Sequence, residues 1–246
     1  MNNIAILSFL VGKKSPLGPQ GVSSAIAKRP IKSRVHLSQS GLDGDEQGDL
    51  IRHGGPEKAL HHYPFDHYSA WRAEIGCNPL LSCPGAFGEN ISTDGVNESD
   101  VAIGDVYKIG EAVIEVSQGR QPCWKLNERF NNSKMAAFVQ SSGRTGWYYR
   151  VLQPGMVCVE DRLCLTERRS AEWTIERLVG ALYKNCLDRE ELDALAQLPR
   201  LTESWRSLAQ RRLETRTIED WQARLHGPAL PHVITKTLQG SVDSST

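Results

Sequence analysis

The chain has 246 residues, enough to bury a sizeable core in one domain with an appendage or in two small domains. Lysine plus arginine and aspartate plus glutamate number 29 each, so no net charge favours nucleic acid or an anionic membrane surface. The six cysteines form no C-x-x-C pair and lack the close spacing of a disulfide-stapled secreted module. We therefore expect a soluble cytoplasmic protein.

Residues 1–169 are predicted to form a β-rich domain. The apolar run over residues 4–11 is too short to span a bilayer and is predicted to be the first strand. The stretch 12–24, rich in glycine, proline and serine, predicts a long surface loop. Further short runs, separated by turn residues, predict antiparallel hairpins that curl into a barrel: 101–103, 106–109, 112–116, 147–152, 156–159 and 163–166.

Two helices are predicted to interrupt these strands. One follows Pro64, and the other follows Ser133 and ends at Gly143. The helical spacing places these residues on the inward faces: Phe65, Tyr68, Trp71 and Ile75 in the first, and Met135, Phe138 and Val139 in the second.

The composition changes near residue 170, where glycine and proline thin out and the apolar spacing becomes helical. Three or four short helices over residues 170–227 are predicted to form a small C-terminal domain, with Asp188 at the start of the second and Pro199 after its end. The small polar residues of 228–246 predict a disordered tail, because they bury too little apolar surface to offset the conformational entropy that ordering would cost. The predicted fold class is thus mainly β with α (α+β), a β-barrel followed by a helical domain.

Cys123 is the residue that we expect to carry the chemistry. It follows a predicted strand directly, and the nearby Gly119 and Pro122 indicate a shaped turn at the rim of a sheet, where reactive groups tend to lie. Arg120 would favour the thiolate, the form that attacks substrates or binds soft metals, if it folds back toward the sulfur. On spacing alone, a free and partly buried cysteine without a chemical role is the commoner explanation.

A second candidate is the run from Arg52 to Tyr63. The pair Gly54-Gly55 lets backbone N–H groups approach an anion, and Arg52, His53 and Lys58 could donate charge-assisted hydrogen bonds to a phosphate. The histidines here lack zinc-protease spacing. A polar turn with surface histidines is the alternative.

The third candidate is the run Phe87-Gly88-Glu89-Asn90. Glu89 could act as a general acid or base and Asn90 as a two-way hydrogen-bonding group, although an ordinary turn uses the same residues. The chain contains no G-x-G-x-x-G motif, P-loop or iron–sulfur cysteine run. A redox role would therefore need electrons from outside.

Taken together and in this order, the motifs resemble the MOSC domain family. They are Gly44-Asp45, His53-Gly54-Gly55, Lys58 through Tyr63, Phe87 through Asn90, and Ser117-Gln118 through Pro122-Cys123. The trailing helices and Lys125-Leu126-Asn127 make the chain similar to the YiiM-like branch, which pairs a MOSC β-barrel with a three-helix C-terminal domain. Related sequences often have proline before the motif arginine, whereas this chain has Gly119.

This resemblance implies a molybdenum cofactor (a pterin dithiolene with a phosphate) whose metal takes Cys123 as its protein ligand. It implies reduction of N-hydroxylated compounds, including base analogues such as 6-hydroxylaminopurine, with electrons from a separate flavin or iron–sulfur protein. A homodimer is compatible with it, and no nucleic acid or membrane partner is expected. Cys123 and Glu89 are the expected catalytic residues, with Glu89 or a nearby histidine assisting proton delivery. The residues expected to bind the cofactor are Arg52, His53, Gly54, Gly55, Lys58, His62, Asn90, Gln118 and Arg120.

Two other functions are compatible with the same residues. The protein could store or hand on the cofactor without catalysis. Alternatively, Cys123 could be a nucleophile in a metal-free transferase or hydrolase. No histidine lies within about twenty residues of Cys123 in the sequence, so a base would have to come from elsewhere in the fold.

Overall fold

Seven strands close into a barrel in the computed structural model, which describes residues 3–48 and 54–228. Their order is β13-β9-β10-β11-β7-β8-β1, and β13 pairs again with β1 to complete the ring. β7 and β8 run parallel, whereas the other pairs in the ring are antiparallel. The predicted fold class is confirmed.

The strands are β1 (Asn3–Val11), β2 (Ser15–Leu17), β3 (Val22–Ser24), β4 (Arg29–Ile31), β5 (Val35–Ser38), β6 (Gly41–Leu42), β7 (Leu60–Pro64), β8 (Ile91–Thr93), β9 (Val106–Ile109), β10 (Ala112–Gly119), β11 (Trp147–Gln153), β12 (Gly155–Val157) and β13 (Arg162–Glu167). β4 extends the barrel sheet beside β1, β12, β5 and β6 form a small separate sheet, and β2 and β3 form a hairpin. Short 3-10 turns cover Pro56–Lys58 and Pro79–Ser82.

Two of the strand-level predictions are wrong. Residues 12–24 contain the β2–β3 hairpin instead of a long loop. Residues 101–103 form no strand; Ala102 only bridges Thr174, and Ile103 N donates to Trp173 O at 2.9 Å. This segment is buried because the C-terminal part of the chain packs over it. β7 and β8 were not predicted, since burial of every residue in them leaves no polar–apolar alternation.

The helices of the first part of the chain are α1 (His67–Ile75), α2 (Lys125–Phe130) and α3 (Met135–Ser142). α1 and α3 confirm the two predicted helices, and α2 was not predicted. Phe138 was placed wrongly, because its side chain is 38% exposed. The buried arc of α3 is formed by Met135, Ala136, Val139 and Gln140, and Phe138 falls outside it.

The C-terminal helices are α4 (Ile175–Tyr183), α5 (Arg189–Gln197), α6 (Glu203–Thr215) and α7 (Gln222–His226). As predicted, Asp188 caps α5: its Oδ1 accepts from Glu190 N and Glu191 N at 3.0 and 3.1 Å. None of the helices in the described ranges is long and apolar enough to cross a membrane. Of the predicted tail, residues 229–246 lie outside the described residues.

The C-terminal helices share one apolar cluster with the barrel. Val116 and Trp147 of the barrel belong to the same buried cluster as Leu178 and Trp205 of the helices. Thr202 N, at the start of α6, also donates to Ser117 O on β10 at 3.3 Å. The helices therefore pack directly on β10, the strand that leads to Cys123.

Candidate functional site

Cys123 lies between the end of β10 and the first turn of α2. Arg120 N donates to Gly146 O at 3.1 Å where the strand ends, and Leu126 N donates to Cys123 O at 2.9 Å where the helix begins. The cysteine is free and half-buried, and it lines a pocket at the rim of the barrel. A rigid strand and a helix start thus hold the thiol at the surface of a cavity.

This pocket, called the basic pocket below, encloses about 90 Å³. Its described lining includes four cations and two carboxylates: Lys28, Lys58, Arg120, Lys125, Asp45 and Glu46. His61, Asn90 and Tyr148 also line it. The excess of positive charge is local and favours an anionic ligand, although the chain as a whole is neutral.

One cation of the basic pocket belongs to a buried ion pair. Lys28 Nζ lies 2.5 Å from Asp45 Oδ2, and their side chains are 7% and 5% exposed. Asp45 also accepts from Gly12 N at 2.7 Å and from Asn90 Nδ2 at 2.8 Å. Burial lowers the pKa of Lys28, and the neighbouring Asp45 carboxylate opposes that shift. The pair therefore fixes the wall of the pocket, and because its two charges are opposite it adds no net charge to the lining.

Two polar atoms of residues that line this pocket are buried and have no hydrogen-bond partner in the described part of the chain. They are His61 Nε2 and Arg120 Nη1. The other terminal nitrogen of Arg120 donates to Phe87 O at 3.0 Å, which orients the guanidinium. Buried polar groups are rarely left unpaired, because each costs about 1–3 kcal/mol. These two atoms therefore leave unused hydrogen-bonding capacity in two residues of the pocket wall.

Strand register explains why His61 and Tyr148 face this pocket. Tyr148 on β11 pairs with Gln118 on β10 and with His61 on β7, so the three residues form one row across neighbouring strands. The His61 and Tyr148 rings are 5.0 Å apart between centroids. The alternate row, in which Trp147 pairs with Gly119 and His62, faces the barrel core.

His62 was predicted to bind the cofactor, but it lies in the core. Its ring nitrogens contact Tyr149 Oη at 3.0 Å and Thr93 Oγ1 at 2.7 Å, and it does not line the pocket. Burial lowers its pKa to about 3. The pocket holds His61 instead, whose pKa burial and Arg120 lower well below the usual value. The one-residue difference arises because side chains alternate along β7, a strand that the sequence did not reveal.

Glu89 was predicted to be catalytic, but its carboxylate organises a turn. It is fully buried, and it accepts from Gly85 N at 2.6 Å, from Phe87 N at 3.0 Å and from Tyr68 Oη. It is not among the residues that line the basic pocket. Because this turn presents the Phe87 carbonyl that holds Arg120, Glu89 helps to position the guanidinium of Arg120.

Asn90 lines the pocket and joins three segments around it. Its Oδ1 accepts from His61 N at 3.1 Å, and its Nδ2 donates to Leu10 O at 3.1 Å and to Asp45 Oδ2. These bonds use the polar atoms of its amide, so it holds β1, β7 and the Asp45 loop in register.

The glycine-containing segment contributes mainly through Lys58. Arg52 and His53 lie outside the described residues. Gly55 has a φ of +97°, and the turn Pro56–Lys58 that follows carries Lys58 to the pocket. Neither Gly54 nor Gly55 lines it. Gln118, another predicted cofactor ligand, lines a second cavity beside Cys123.

Several pocket residues were missed by the sequence analysis: Lys28, Asp45 as a pocket residue, His61, Lys125 and Tyr148. The Gly44-Asp45 pair was recognised only as part of a motif, and Lys125 as part of the segment after the cysteine. Lys28 has no local signal, because its position depends on a pairing with a residue 17 positions away. In the described ranges, no group of three or more histidine, cysteine, aspartate or glutamate side chains could hold a metal ion.

Comparison with known proteins agrees with this arrangement. Residues 49–164 match the MOSC domain, and residues 173–216 match the YiiM-like, 3-alpha helix domain. Protein YiiM of Escherichia coli (strain K12) is 41% identical over 209 residues, which cover 85% of this chain and 93% of that protein. A protein of Gibberella moniliformis (strain M3125 / FGSC 7600) named Reductase is 38% identical over 204 residues. The matched region covers 82% of this chain and 36% of the fungal protein. The crystal structure of YiiM from Escherichia coli superposes with a TM-score of 0.75 and 36% identity, covering 87% of this chain and 100% of that one.

Proposed function

Because the chain belongs to the MOSC domain family and carries its YiiM-like helical domain, we propose that it is a molybdenum-cofactor-dependent reductase of N-hydroxylated compounds. The name of the fungal relative supports an oxidoreductase role in general. The cofactor proposal depends chiefly on one observation: His61 Nε2 and Arg120 Nη1 are buried and unpaired in a basic pocket that also contains Cys123.

The residues of the basic pocket fit such a cofactor. A soft thiolate suits molybdenum, and Cys123 would hold the metal. Lys58, Lys125 and the unpaired Nη1 of Arg120 would balance and orient the anionic phosphate and pterin. The enclosed volume of about 90 Å³ holds only part of such a molecule, so the rest requires the open mouth of the pocket. When bound, the cofactor supplies a two-electron redox centre.

The proposed reaction breaks the N–O bond of the substrate. An N-hydroxylated compound takes up two electrons and two protons and gives the amine and one water. A separate flavin or iron–sulfur protein would supply the electrons, since the chain carries no recognisable centre of its own. His61 and Tyr148 are two of the titratable groups that line the pocket with Cys123, whereas the Glu89 carboxylate is engaged in its turn.

Metal and pterin analysis tests this function directly. Protein made in a cofactor-competent host should contain roughly stoichiometric molybdenum and pterin, and Cys123→Ala should lose the molybdenum while it keeps the wild-type melting temperature. Cys164→Ala is the matched control, because Cys164 lies on β13 and does not line the pocket. Wild-type protein without molybdenum would refute the proposal.

The structure also strengthens one alternative. His61 lines the same pocket as Cys123 although 62 positions separate them, so a thiol and a histidine share one cavity. Metal-free protein that turns over an acyl or alkyl substrate, with loss of turnover in His61→Gln, would favour a cysteine nucleophile. Tightly bound cofactor without reduction of N-hydroxylated substrates by any electron donor would favour a carrier.

A further inference from the structure

The short helix α7 packs on the segment that carries Cys123. We call that segment, residues 120–124 between β10 and α2, the cysteine loop. Arg224 Nη1 donates to Pro122 O at 2.7 Å, and Trp124 N donates to Arg224 O at 2.8 Å. A single residue of α7 is therefore bonded to both chain neighbours of Cys123.

The side chain of Arg224 is itself held in place from two directions. Its Nη2 donates to Oε1 of Gln140 on α3 at 2.5 Å, and Gln140 is only 6% exposed. The guanidinium also lies over the ring of Tyr183, 5.5 Å from the ring centroid. Because the guanidinium is a planar fork, the bond to Gln140 fixes the direction in which Nη1 points at Pro122 O.

Contacts from α2 and α6 anchor α7 in turn. Asn127 Nδ2 on α2 donates to Leu225 O at 2.7 Å. Glu219 Oε1 accepts from Arg212 Nη2 on α6 and from Trp221 Nε1, both at 2.7 Å. Arg212 is 1% exposed, so this ion pair is fixed to the buried side of α6. The helix that holds the cysteine loop is thus tied to the barrel side and to the C-terminal helices.

The cysteine loop depends on such outside contacts. Proline has no N–H, so the backbone of Pro122 can be held only through its carbonyl, which is the group that Arg224 binds. Segments with few hydrogen bonds are those that open locally while the rest of the fold stays intact. Loss of the Arg224 guanidinium should therefore release the loop around Cys123 before it affects the barrel.

We propose that Arg224 is a positioning residue for Cys123: it clamps the cysteine loop and holds the thiol at the wall of both cavities that Cys123 lines. Arg224 lies beyond residues 173–216, the part of the chain that matches the three-helix domain. The inference rests on the proposed function for the role of the thiol as a metal ligand, whereas the clamp itself requires no cofactor.

Alkylation of the individual cysteines by iodoacetamide tests the clamp in the full chain made without cofactor. Peptide mass spectrometry follows each thiol, and the rate is measured as a function of pH. At high pH, where the thiol is fully ionised, the plateau rate reports accessibility and no longer the thiolate fraction. Arg224→Met should raise the plateau rate of Cys123 about ten-fold, because the loop opens more often once the charge-assisted bond is lost.

The other thiols separate a local effect from a general loosening. Cys77 and Cys164 line neither cavity, and their rates should stay at the wild-type values in Arg224→Met. Arg224→Lys keeps one cationic donor and should hold the Cys123 plateau within about three-fold of the wild type. Arg211→Met is the matched control, because Arg211 is an exposed arginine of α6 that lines neither cavity, and it should leave every rate unchanged.

The inference is overturned if the Cys123 plateau in Arg224→Met stays within about two-fold of the wild type, or if Cys77 and Cys164 accelerate as much as Cys123. Should Arg224→Met not fold, Gln140→Met removes the acceptor that orients the guanidinium and should raise the same plateau about three-fold; an unchanged plateau would overturn the inference equally.

Protein from a cofactor-competent host tests the positioning of the metal ligand. Arg224→Met should retain less than about half of the wild-type molybdenum, because a displaced thiol is a poorer ligand. Full molybdenum content in this variant would overturn the positioning role. Wild-type protein without molybdenum, together with the expected alkylation rates, would support the clamp and refute the proposed reductase.

Discussion

Replacing Glu89 with glutamine separates a structural role of this carboxylate from a catalytic one. Glu89 Oε1 accepts from Gly85 N and Tyr68 Oη, and Oε2 accepts from Phe87 N. A glutamine in the same position keeps one oxygen for the first two donors but turns an N–H group toward Phe87 N. The result is at least one buried unpaired donor and the loss of charge-assisted bonds, and we expect a loss of about 3 kcal/mol in the free energy of unfolding.

Urea denaturation followed by tryptophan fluorescence measures this loss, and scanning calorimetry should show a fall of roughly 6–12 °C in the melting temperature. Glu214→Gln is the control; it removes an exposed carboxylate of α6 and should change the stability by less than about 0.5 kcal/mol. A Glu89→Gln variant that is as stable as the wild type, while its reductase turnover drops a hundred-fold or more, would contradict a purely structural role for this carboxylate. That result would restore Glu89 as the proton donor that the sequence suggested.

Three further changes test buried contacts in the barrel and around the site. Burial lowers the pKa of His62 to about 3, against 6.5 in the unfolded chain. Between these two values the unfolded state binds more protons than the folded state. Stability that is fully present above about pH 6.5 is therefore lost as the pH falls toward 3. From this residue alone, urea denaturation should show a loss of about 2 kcal/mol between pH 7.5 and 5. His62→Phe should remove that part of the pH dependence and leave the part due to His61, whose pKa is also lowered by burial. Asp45→Asn removes the carboxylate that pairs with the buried Lys28 and should lower the free energy of unfolding by about 3–5 kcal/mol. The double variant Asp45→Asn, Lys28→Met should recover most of that loss. Equal losses in the single and the double variant would contradict the ion-pair argument. Gly119→Ala crowds the Trp205 ring and should cost about 1–3 kcal/mol, a loss that Trp205→Phe should partly relieve if the clash is its cause.

Elements with clear turn residues at their ends could be predicted from the sequence. β9 and β10 are separated by Gly110-Glu111, and α5 begins after the capping Asp188, so local chemistry marks their boundaries. β7 could not be found in this way. All five of its residues are buried, and a strand buried on both faces carries no period-two signal.

Some residues of the candidate site could likewise be predicted from the sequence, and others could not. Cys123 was identifiable because a strand, a shaped turn and ordered motifs all lie near it in the sequence, and the structure brings it together with Lys58, Asn90 and Arg120 at one pocket. The assignment of His62 instead of His61 shows the limit of such reasoning. Which of two adjacent histidines faces a ligand depends on strand register, and register is set by contacts between distant segments.

The order of motifs along the chain was enough to predict a neutral β-barrel protein with trailing helices, to relate it to the MOSC family, and to single out Cys123 as the principal candidate for chemistry. The folded chain was needed to find that His61 and Arg120 line the basic pocket, that Glu89 supports a turn, and that the helices form a wall of a second cavity. The physical reason is that motifs and caps act within a few residues of the chain. Unpaired buried atoms and shared cavities, in contrast, arise only when distant segments pack together.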